Sequence, residues 1–197
     1  MNPRSQPVTV PSSSRGIGRV RALAWLPFMP LLLSPSACAP PSPPPTLVPS
    51  EDIRPDPEWT LRTLDGTTFT LGELRGRPVF VNLWATWCPP CIAELGSIEG
   101  LAASLGDSVA FVLASPENAD VVRAFVREHG LRIDPVLEET LAPESFGMSA
   151  LPHTVVLDAD GRMVLSHRGA ADWDTPEVRE LLRGLAAPTT SIAGTAR

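Results

Sequence analysis

Two residue types are absent from this 197-residue chain, and each absence excludes a class of chemistry. Without Lys there is no Schiff-base lysine and no P-loop lysine, and without Tyr there is no catalytic phenol. Basic residues are also scarce after position 50, where 12 Arg accompany 22 acidic residues. The resulting net charge of −10 argues against nucleic-acid binding by this part, because such binding requires a basic surface.

Proline is unevenly distributed, with 14 of the 23 prolines in residues 1–57. Residues 1–38 are predicted to be a targeting segment of the signal or lipoprotein type, because a basic start precedes an apolar stretch and small residues. The apolar stretch has only about a dozen residues, too few to span a membrane comfortably. Residues 39–57 are predicted to form a proline-rich tether, residues 58–187 a folded domain and residues 188–197 a disordered tail.

Cys38 stands apart from the other two cysteines, at the end of the targeting segment. Ser36 and Ala37 suit a lipoprotein signal, in which Cys38 becomes the lipidated N-terminus of the mature protein. Pro35 stands where such signals usually carry Leu. Two alternatives stay open: ordinary cleavage after Ala39, and retention of the segment as an uncleaved anchor.

The hydrophobic pattern after the tether predicts an alternation of strands and helices. Strands are predicted at residues 59–64, 67–70, 78–84, 109–113, 154–157 and 163–166. Helices are predicted at residues 88–105 and 120–129, and from Thr175 onward. This order predicts an α/β domain with a mixed sheet and helices on both faces.

Cys88 and Cys91 are separated by two residues, between a predicted buried strand and a predicted helix. This CxxC spacing is typical of a redox pair. Cys88 is predicted to be the attacking thiol, because free N–H groups and the dipole at a helix N-terminus stabilise a thiolate. Cys91 lies one turn further and is predicted to resolve the mixed disulfide. Pro89 and Pro90 fit the first turn of the helix and stiffen the ring.

The CxxC pair has two other interpretations. A zinc site needs two further ligands at matching spacing, and the other candidates form no pair: Cys38, His129, His153 and His167. A purely structural disulfide is disfavoured by the flanking tryptophans and the strand-to-helix location. The chain is therefore predicted to need neither a metal nor a cofactor.

Two segments resemble the TlpA/ResA branch of the thioredoxin-fold thiol–disulfide oxidoreductases. The first is VNLWATWCPPC at residues 81–91, followed by Glu94, and the second is LPHTVVLD at residues 151–158, followed by Asp160-Gly161. The resemblance covers about residues 51–185. It implies an α/β, thioredoxin-like fold, with a central mixed β-sheet flanked by helices and an N-terminal β-hairpin extension.

The resemblance also implies a substrate-binding surface around the CxxC pair. Pro152 would be a cis-proline packed against the cysteines. Leu151 would offer its backbone to an extended peptide, as in strand addition. Trp87, Pro89 and Pro90 would complete the surface that contacts substrate.

Glu94 follows Cys91 by three residues, on the same face of the predicted helix. Spacing alone leaves open a solvated carboxylate or a partly buried one that exchanges a proton with Cys91. The resemblance favours the second and makes Glu94 a catalytic candidate. Asn82 stands where thioredoxins themselves keep a buried Asp, so that proton acceptor is missing here.

Four further residues complete the predictions. Gly96 replaces a Pro that is usual in the family and also permits a helix bend. His153 replaces a commoner Thr, and a surface position is favoured over one at the active-site rim. Trp84 is predicted to lie in the core, and Trp173 is predicted to pack without a chemical role.

The leading functional hypothesis is a membrane-tethered thiol–disulfide reductase in the periplasm or on the outer side of the cytoplasmic membrane. The resemblance implies recharging by a membrane electron carrier of the CcdA/DsbD kind. Partners would be protein disulfides in apocytochrome c or copper-centre assembly proteins, and the enzyme is expected to be a monomer. Three alternatives stand beside it: an oxidant that inserts disulfides, a Sco-type copper chaperone, which has CxxxC spacing, and a thiol peroxidase, whose attacking Cys lies in another motif.

Overall fold

The computed structural model describes residues 53–187. The predicted targeting segment with Cys38, most of the tether and the predicted C-terminal tail lie outside the described residues. Seven strands and three α-helices form the domain. The strands are β1 Thr60–Thr63, β2 Thr68–Thr70, β3 Val79–Leu83, β4 Ala110–Ser115, β5 Val136–Glu138, β6 His153–Leu157 and β7 Met163–Arg168. The helices are α1 Pro89–Leu105, α2 Ala119–His129 and α3 Pro176–Ala186.

All seven strands belong to one sheet, in the order β2-β1-β5-β4-β3-β6-β7. The pairs β3–β4 and β4–β5 are parallel and the other pairs are antiparallel, so the predicted mixed sheet is confirmed. Strand β5 was not predicted, because three residues are too few to show a period. It joins the N-terminal hairpin to the rest of the sheet, since β1 pairs with it.

The three α-helices contribute to one hydrophobic cluster, which includes Phe80 of the central strand β3. The neighbouring Val79 and Val81 point to the other face, where Trp59 and Phe146 cover the sheet together with short 3-10 helices. The predicted flanking of the sheet by helices is confirmed, but between residues 53 and 187 the three α-helices share one face and the other face carries 3-10 helices. The crossovers β3-α1-β4 and β4-α2-β5 step in the same direction along the sheet, and right-handed connections then leave both helices on one face.

Helix ends follow the capping residues of the sequence. Asn118 accepts a hydrogen bond from the N–H of Val121 at the start of α2, and Gly130 ends that helix with a φ of 65°. Thr175 caps α3 in the same way. Helix α1 continues without interruption through Gly96.

Residues 53–57 are hydrogen-bonded to the domain that follows. The carbonyl of Ile53 accepts from the N–H of Met163 at 2.9 Å, and the carbonyl of Pro57 accepts from Gly72 at 2.8 Å. Between residues 53 and 187, no helix combines the length and the apolar character needed to cross a bilayer.

Candidate functional site

The CxxC segment begins where the central strand β3 ends. All five residues of β3 are buried, because it is flanked by β4 and β6 and covered on both faces. Trp84 continues into the core as predicted, and its backbone N–H donates to the carbonyl of Ala114 at 3.1 Å. A turn then follows, closed by a hydrogen bond from the N–H of Cys88 to the carbonyl of Ala85.

Cys88 and Cys91 form a disulfide at the N-terminus of α1, with their Cα atoms 5.3 Å apart. Cys88 is the N-cap residue, and Pro89 and Pro90 occupy the first turn of the helix. Cys88 is 4% exposed, whereas Cys91 is fully buried. Cys88 is therefore the more accessible of the two cysteines.

The residues predicted to bind substrate lie in two segments, the CxxC turn itself and the residues just before β6. Trp87 is 68% exposed, and Pro89 and Pro90 are also exposed. The peptide bond between Leu151 and Pro152 is cis, as the sequence resemblance implies. Strand β6 pairs with β3 so that His153 lies opposite Leu83, which places Pro152 beside the start of the CxxC segment. Leu151 is half-buried and Pro152 is buried, so Trp87, Pro89 and Pro90 make up the exposed apolar surface of this region.

Glu94 lies one helical turn beyond Cys91 and is only 1% exposed, which excludes a solvated carboxylate. One carboxylate oxygen, Oε1, accepts a hydrogen bond from Asn82 Nδ2 at 2.8 Å. The other, Oε2, accepts from the N–H of Ala171 at 3.0 Å and from the indole Nε1 of Trp173 at 2.9 Å. Three hydrogen bonds from two chain segments, β3 and residues 171–173, thus converge on this one side chain.

Burial raises the pKa of Glu94, and this effect outweighs the three hydrogen bonds, which act in the opposite direction. A carboxyl group with a raised pKa exchanges its proton closer to neutral pH than an exposed Glu does. Glu94 is therefore suited to proton transfer with a neighbouring buried thiol.

Asn82 connects Glu94 to strand β6, because its Nδ2 also donates to Thr154 Oγ1 at 2.8 Å. Its Oδ1 has no hydrogen-bond partner among residues 53–187. Trp173 was predicted to pack only, but its indole N–H holds the Glu94 carboxylate. The sequence contained one signal for this contact: a buried Trp N–H and a buried carboxylate each require a partner.

His153 is fully buried, so the favoured prediction of a surface His is wrong. It lies on β6 between β3 and β7, and its Nε2 is 3.1 Å from Ser166 Oγ. Burial, together with the positive charges of Arg168 and His167, lowers the pKa of His153. A neutral imidazole in the sheet interior is the result.

Comparison with known sequences gives a consistent group of relatives. Residues 51–183 match the family described as Redoxin. The thiol-disulfide oxidoreductase ResA of Halalkalibacterium halodurans is 32% identical over 129 residues, which cover 64% of this chain and 73% of that protein. A thiol:disulfide interchange protein DsbE homolog of Paracoccus denitrificans is 33% identical over 135 residues, covering 64% of this chain and 72% of the relative.

Solved structures give the same fold. A thioredoxin-family thiol:disulfide interchange protein of Chlorobium tepidum superposes with a TM-score of 0.52 at 24% identity, covering 67% of this chain and 99% of that one. The exposed lipoprotein thioredoxin of Streptococcus pneumoniae superposes with a TM-score of 0.53 at 22% identity, covering 64% and 96%. These likenesses establish the thioredoxin-like fold.

Proposed function

Because this chain belongs to the Redoxin family and is a thiol–disulfide oxidoreductase of the ResA and DsbE type, we propose that Cys88 and Cys91 are its redox pair. One observation supports this assignment above others: the two cysteines form a disulfide at the N-terminus of α1, directly after a buried strand. Cys88 is the attacking thiol and Cys91 the resolving thiol. No cofactor takes part in this exchange.

In the reductive direction, the Cys88 thiolate attacks one sulfur of a partner disulfide and releases the partner's other sulfur as a thiolate. A mixed disulfide between Cys88 and the partner results. Cys91 then loses its proton and attacks the Cys88 sulfur, which releases the second partner thiol and forms the Cys88–Cys91 disulfide. Two electrons pass to the partner in each cycle, and a donor dithiol must return them.

Glu94 is the proton acceptor for Cys91 in this scheme. Its buried position one turn along α1 and its raised pKa support the role. When the disulfide is reduced again, the same carboxyl group returns the proton to the Cys91 sulfur. The hydrogen bonds from Asn82 and Trp173 hold the carboxylate in place through both steps.

Partner proteins bind over the apolar surface beside Cys88. Trp87, Pro89 and Pro90 supply its exposed part, and the half-buried Leu151 with the buried Pro152 behind it would line it from the segment before β6. An extended peptide at the Leu151 backbone would present its cysteine to Cys88, because strand addition fixes the direction of the bound chain. Substrates are thus protein disulfides in flexible or unfolded segments.

Cys88–Cys91 is expected to act as a reductant, with a potential more negative than about −200 mV. The dipeptide between the cysteines is Pro89-Pro90, which donates nothing to a thiolate, and the chain has no Lys. Stabilisation by the helix N-terminus amounts to about 0.3–1 kcal/mol at an exposed end and up to about 2 kcal/mol when partly buried. The reduced form is therefore only moderately favoured.

Equilibration of the purified protein with glutathione buffers, followed through the fluorescence of Trp87, measures this potential. A result near that of strong disulfide-inserting oxidants, about −120 mV, would reverse the proposed direction of electron flow. The same protein would then be an oxidant that inserts disulfides.

We also propose that the enzyme works outside the cytoplasm, where partner disulfides form and persist. Residues 1–38 would target the chain, residues 39–57 would tether it, the domain of residues 58–187 would carry the chemistry and residues 188–197 would be a tail. A membrane carrier of the CcdA/DsbD kind would recharge the monomeric enzyme on the outer side of the cytoplasmic membrane or in the periplasm. Disulfides of apocytochrome c or of copper-centre assembly proteins are the proposed substrates.

Cys38 is expected to be the lipidated N-terminus of the mature protein, because Ser36 and Ala37 precede it at the end of a short apolar stretch. Mass spectrometry of the protein from membranes should find a diacylglyceryl-modified peptide that starts at Cys38. Replacement by Ser should shift the protein into the soluble fraction. An unmodified mature chain that starts after Cys38 would refute lipidation and favour ordinary cleavage.

A further inference from the structure

The carboxylate of Glu117, which lies outside the CxxC motif, binds the turn of residues 85–88 that precedes the motif's helix. Strands β3 and β4 are parallel, with Leu83 opposite Ala114, so the segments that follow both strands leave the same edge of the sheet. Glu117 lies in the segment after β4, and Thr86 lies in the segment after β3. The two residues meet at this edge.

Glu117 binds Thr86 through both carboxylate oxygens. Oε2 accepts from the backbone N–H of Thr86 at 2.7 Å, and Oε1 accepts from its hydroxyl at 2.7 Å. Ser115 holds the carboxylate from the other side, since its hydroxyl lies 3.2 Å from Oε2 and also accepts from the N–H of Glu117 at 3.2 Å. Ser115 is fully buried at the end of β4, so the carboxylate is attached to a rigid part of the sheet.

Thr86 is the second residue of the turn that the Cys88 N–H closes on the Ala85 carbonyl. Trp87 is the third residue, and its side chain is 68% exposed. A side chain with so little packing takes its position from the backbone that carries it. The carboxylate that fixes Thr86 therefore also fixes the backbone from which the Trp87 side chain projects, one residue before Cys88.

We propose that Glu117 is a positioning residue for thiol–disulfide exchange with protein substrates: by holding Thr86 it fixes the turn that presents Trp87 next to the attacking sulfur. This inference rests on the proposed redox role of Cys88 and Cys91. A protein substrate that docks on the Trp87 surface needs this fixed geometry. A small dithiol needs only access to the Cys88 sulfur and gains nothing from it.

The test compares insulin, as a protein disulfide, with dithiothreitol. In Glu117→Ala, kcat/KM for insulin reduction should fall about tenfold, whereas the rate at which dithiothreitol reduces the enzyme should change by less than about twofold. Glu117→Gln should recover most of the lost rate, because its amide oxygen can accept from the Thr86 N–H and its NH2 can donate to the hydroxyl. Glu128→Ala is the matched control, since Glu128 is an exposed residue of α2, and it should leave both rates unchanged.

A double-mutant cycle with Thr86→Val separates positioning from general destabilisation. The variant Thr86→Val/Glu117→Ala should be no slower with insulin than Glu117→Ala alone, because Glu117→Ala already removes the hydroxyl contact that Thr86→Val deletes, together with the contact to the Thr86 N–H. Melting curves show that each variant is folded at the assay temperature.

Unchanged insulin kinetics in Glu117→Ala would overturn the inference while the wild-type activity still supports the redox pair. Equal losses with insulin and dithiothreitol, or fully additive losses in the double variant, would also overturn it, because Glu117 would then only stabilise the fold. A wild-type protein that exchanges disulfides with neither insulin nor dithiothreitol would instead refute the proposed function, and this inference with it.

Discussion

Cys88→Ser is expected to abolish disulfide reduction, and Cys91→Ser is expected to trap the partner as a mixed disulfide. A hydroxyl group at position 88 cannot displace sulfur from a disulfide, so the loss should exceed about a thousandfold. In Cys91→Ser the attack by Cys88 still occurs, but no second thiol releases the partner. Non-reducing gels and mass spectrometry of the trapped species measure both outcomes.

Cys38→Ser is the matched control for this experiment, because it replaces the one cysteine that lies outside the redox pair. The purified variant should exchange disulfides at the wild-type rate. After mild reduction, one equivalent of an alkylating agent should label Cys88 first, in line with its greater exposure. Faster labelling of Cys91 would show that the two roles are assigned the wrong way round.

Glu94→Gln is expected to slow the release of a partner by about 10- to 100-fold at neutral pH, at the low end of general-base effects because a thiol is itself acidic. The difference from wild type should shrink at alkaline pH, where Cys91 ionises without help. A stopped-flow pH–rate profile of mixed-disulfide resolution measures this effect. A profile that superimposes on that of the wild type would remove Glu94 from the mechanism.

The Glu94→Gln variant should fold, because the surroundings of this side chain can accommodate an amide. The introduced amide can keep its oxygen toward the N–H donors of Ala171 and Trp173 and turn its NH2 toward Asn82. The Asn82 amide can then rotate, so that its unpartnered Oδ1 accepts from this NH2 and from the Thr154 hydroxyl. Asn82 then keeps two hydrogen bonds, and its Nδ2 takes the position at which Oδ1 has no partner in the wild type.

The same substitution should change how stability depends on pH. Burial raises the pKa of Glu94 in the folded state above its value in the unfolded chain. The stability contributed by the bound proton is fully present below the unfolded pKa and is lost as pH rises through the folded pKa. The free energy of unfolding of the wild type should therefore fall over that window relative to Glu94→Gln, which chemical denaturation at a series of pH values will detect.

The sequence predicts those parts of the site that depend on local chemistry. The CxxC spacing and the prolines of the first turn are tied to one short segment, and the structure has them where the pattern places them. The family resemblance implies the cis bond before Pro152, and the structure has it. The caps at Asn118 and Thr175 are equally local. Spacing alone does not decide whether Glu94 is solvated or buried, and the family resemblance is what makes it a catalytic candidate.

The parts that could not be predicted depend on contacts between distant segments. Trp173 reaches Glu94 across 79 positions, and Thr86 meets Glu117 across 31. His153 lies on β6, which is paired with β3 on one side and with β7 on the other. The sequence of β7 predicts a hairpin strand but does not show that β6 becomes an inner strand of the sheet. The three α-helices lie on the same face of the sheet, and this placement follows from the order of the strands. None of these properties has a periodic signature in the sequence.

The bond between Asn82 and Glu94 has a consequence for which side chains these two positions can hold together. The two side chains meet at 2.8 Å in a fully buried place, so acids at both positions would face each other across that distance without water. Two such carboxylates could not both ionise, and they would share one proton and titrate as a pair. An acid on β3 and an acid on α1 are therefore two alternative ways to place one buried carboxyl group that can bind and release a proton. A chain that carries its acid on α1 is best served by an uncharged donor on β3, which is the role of Asn82.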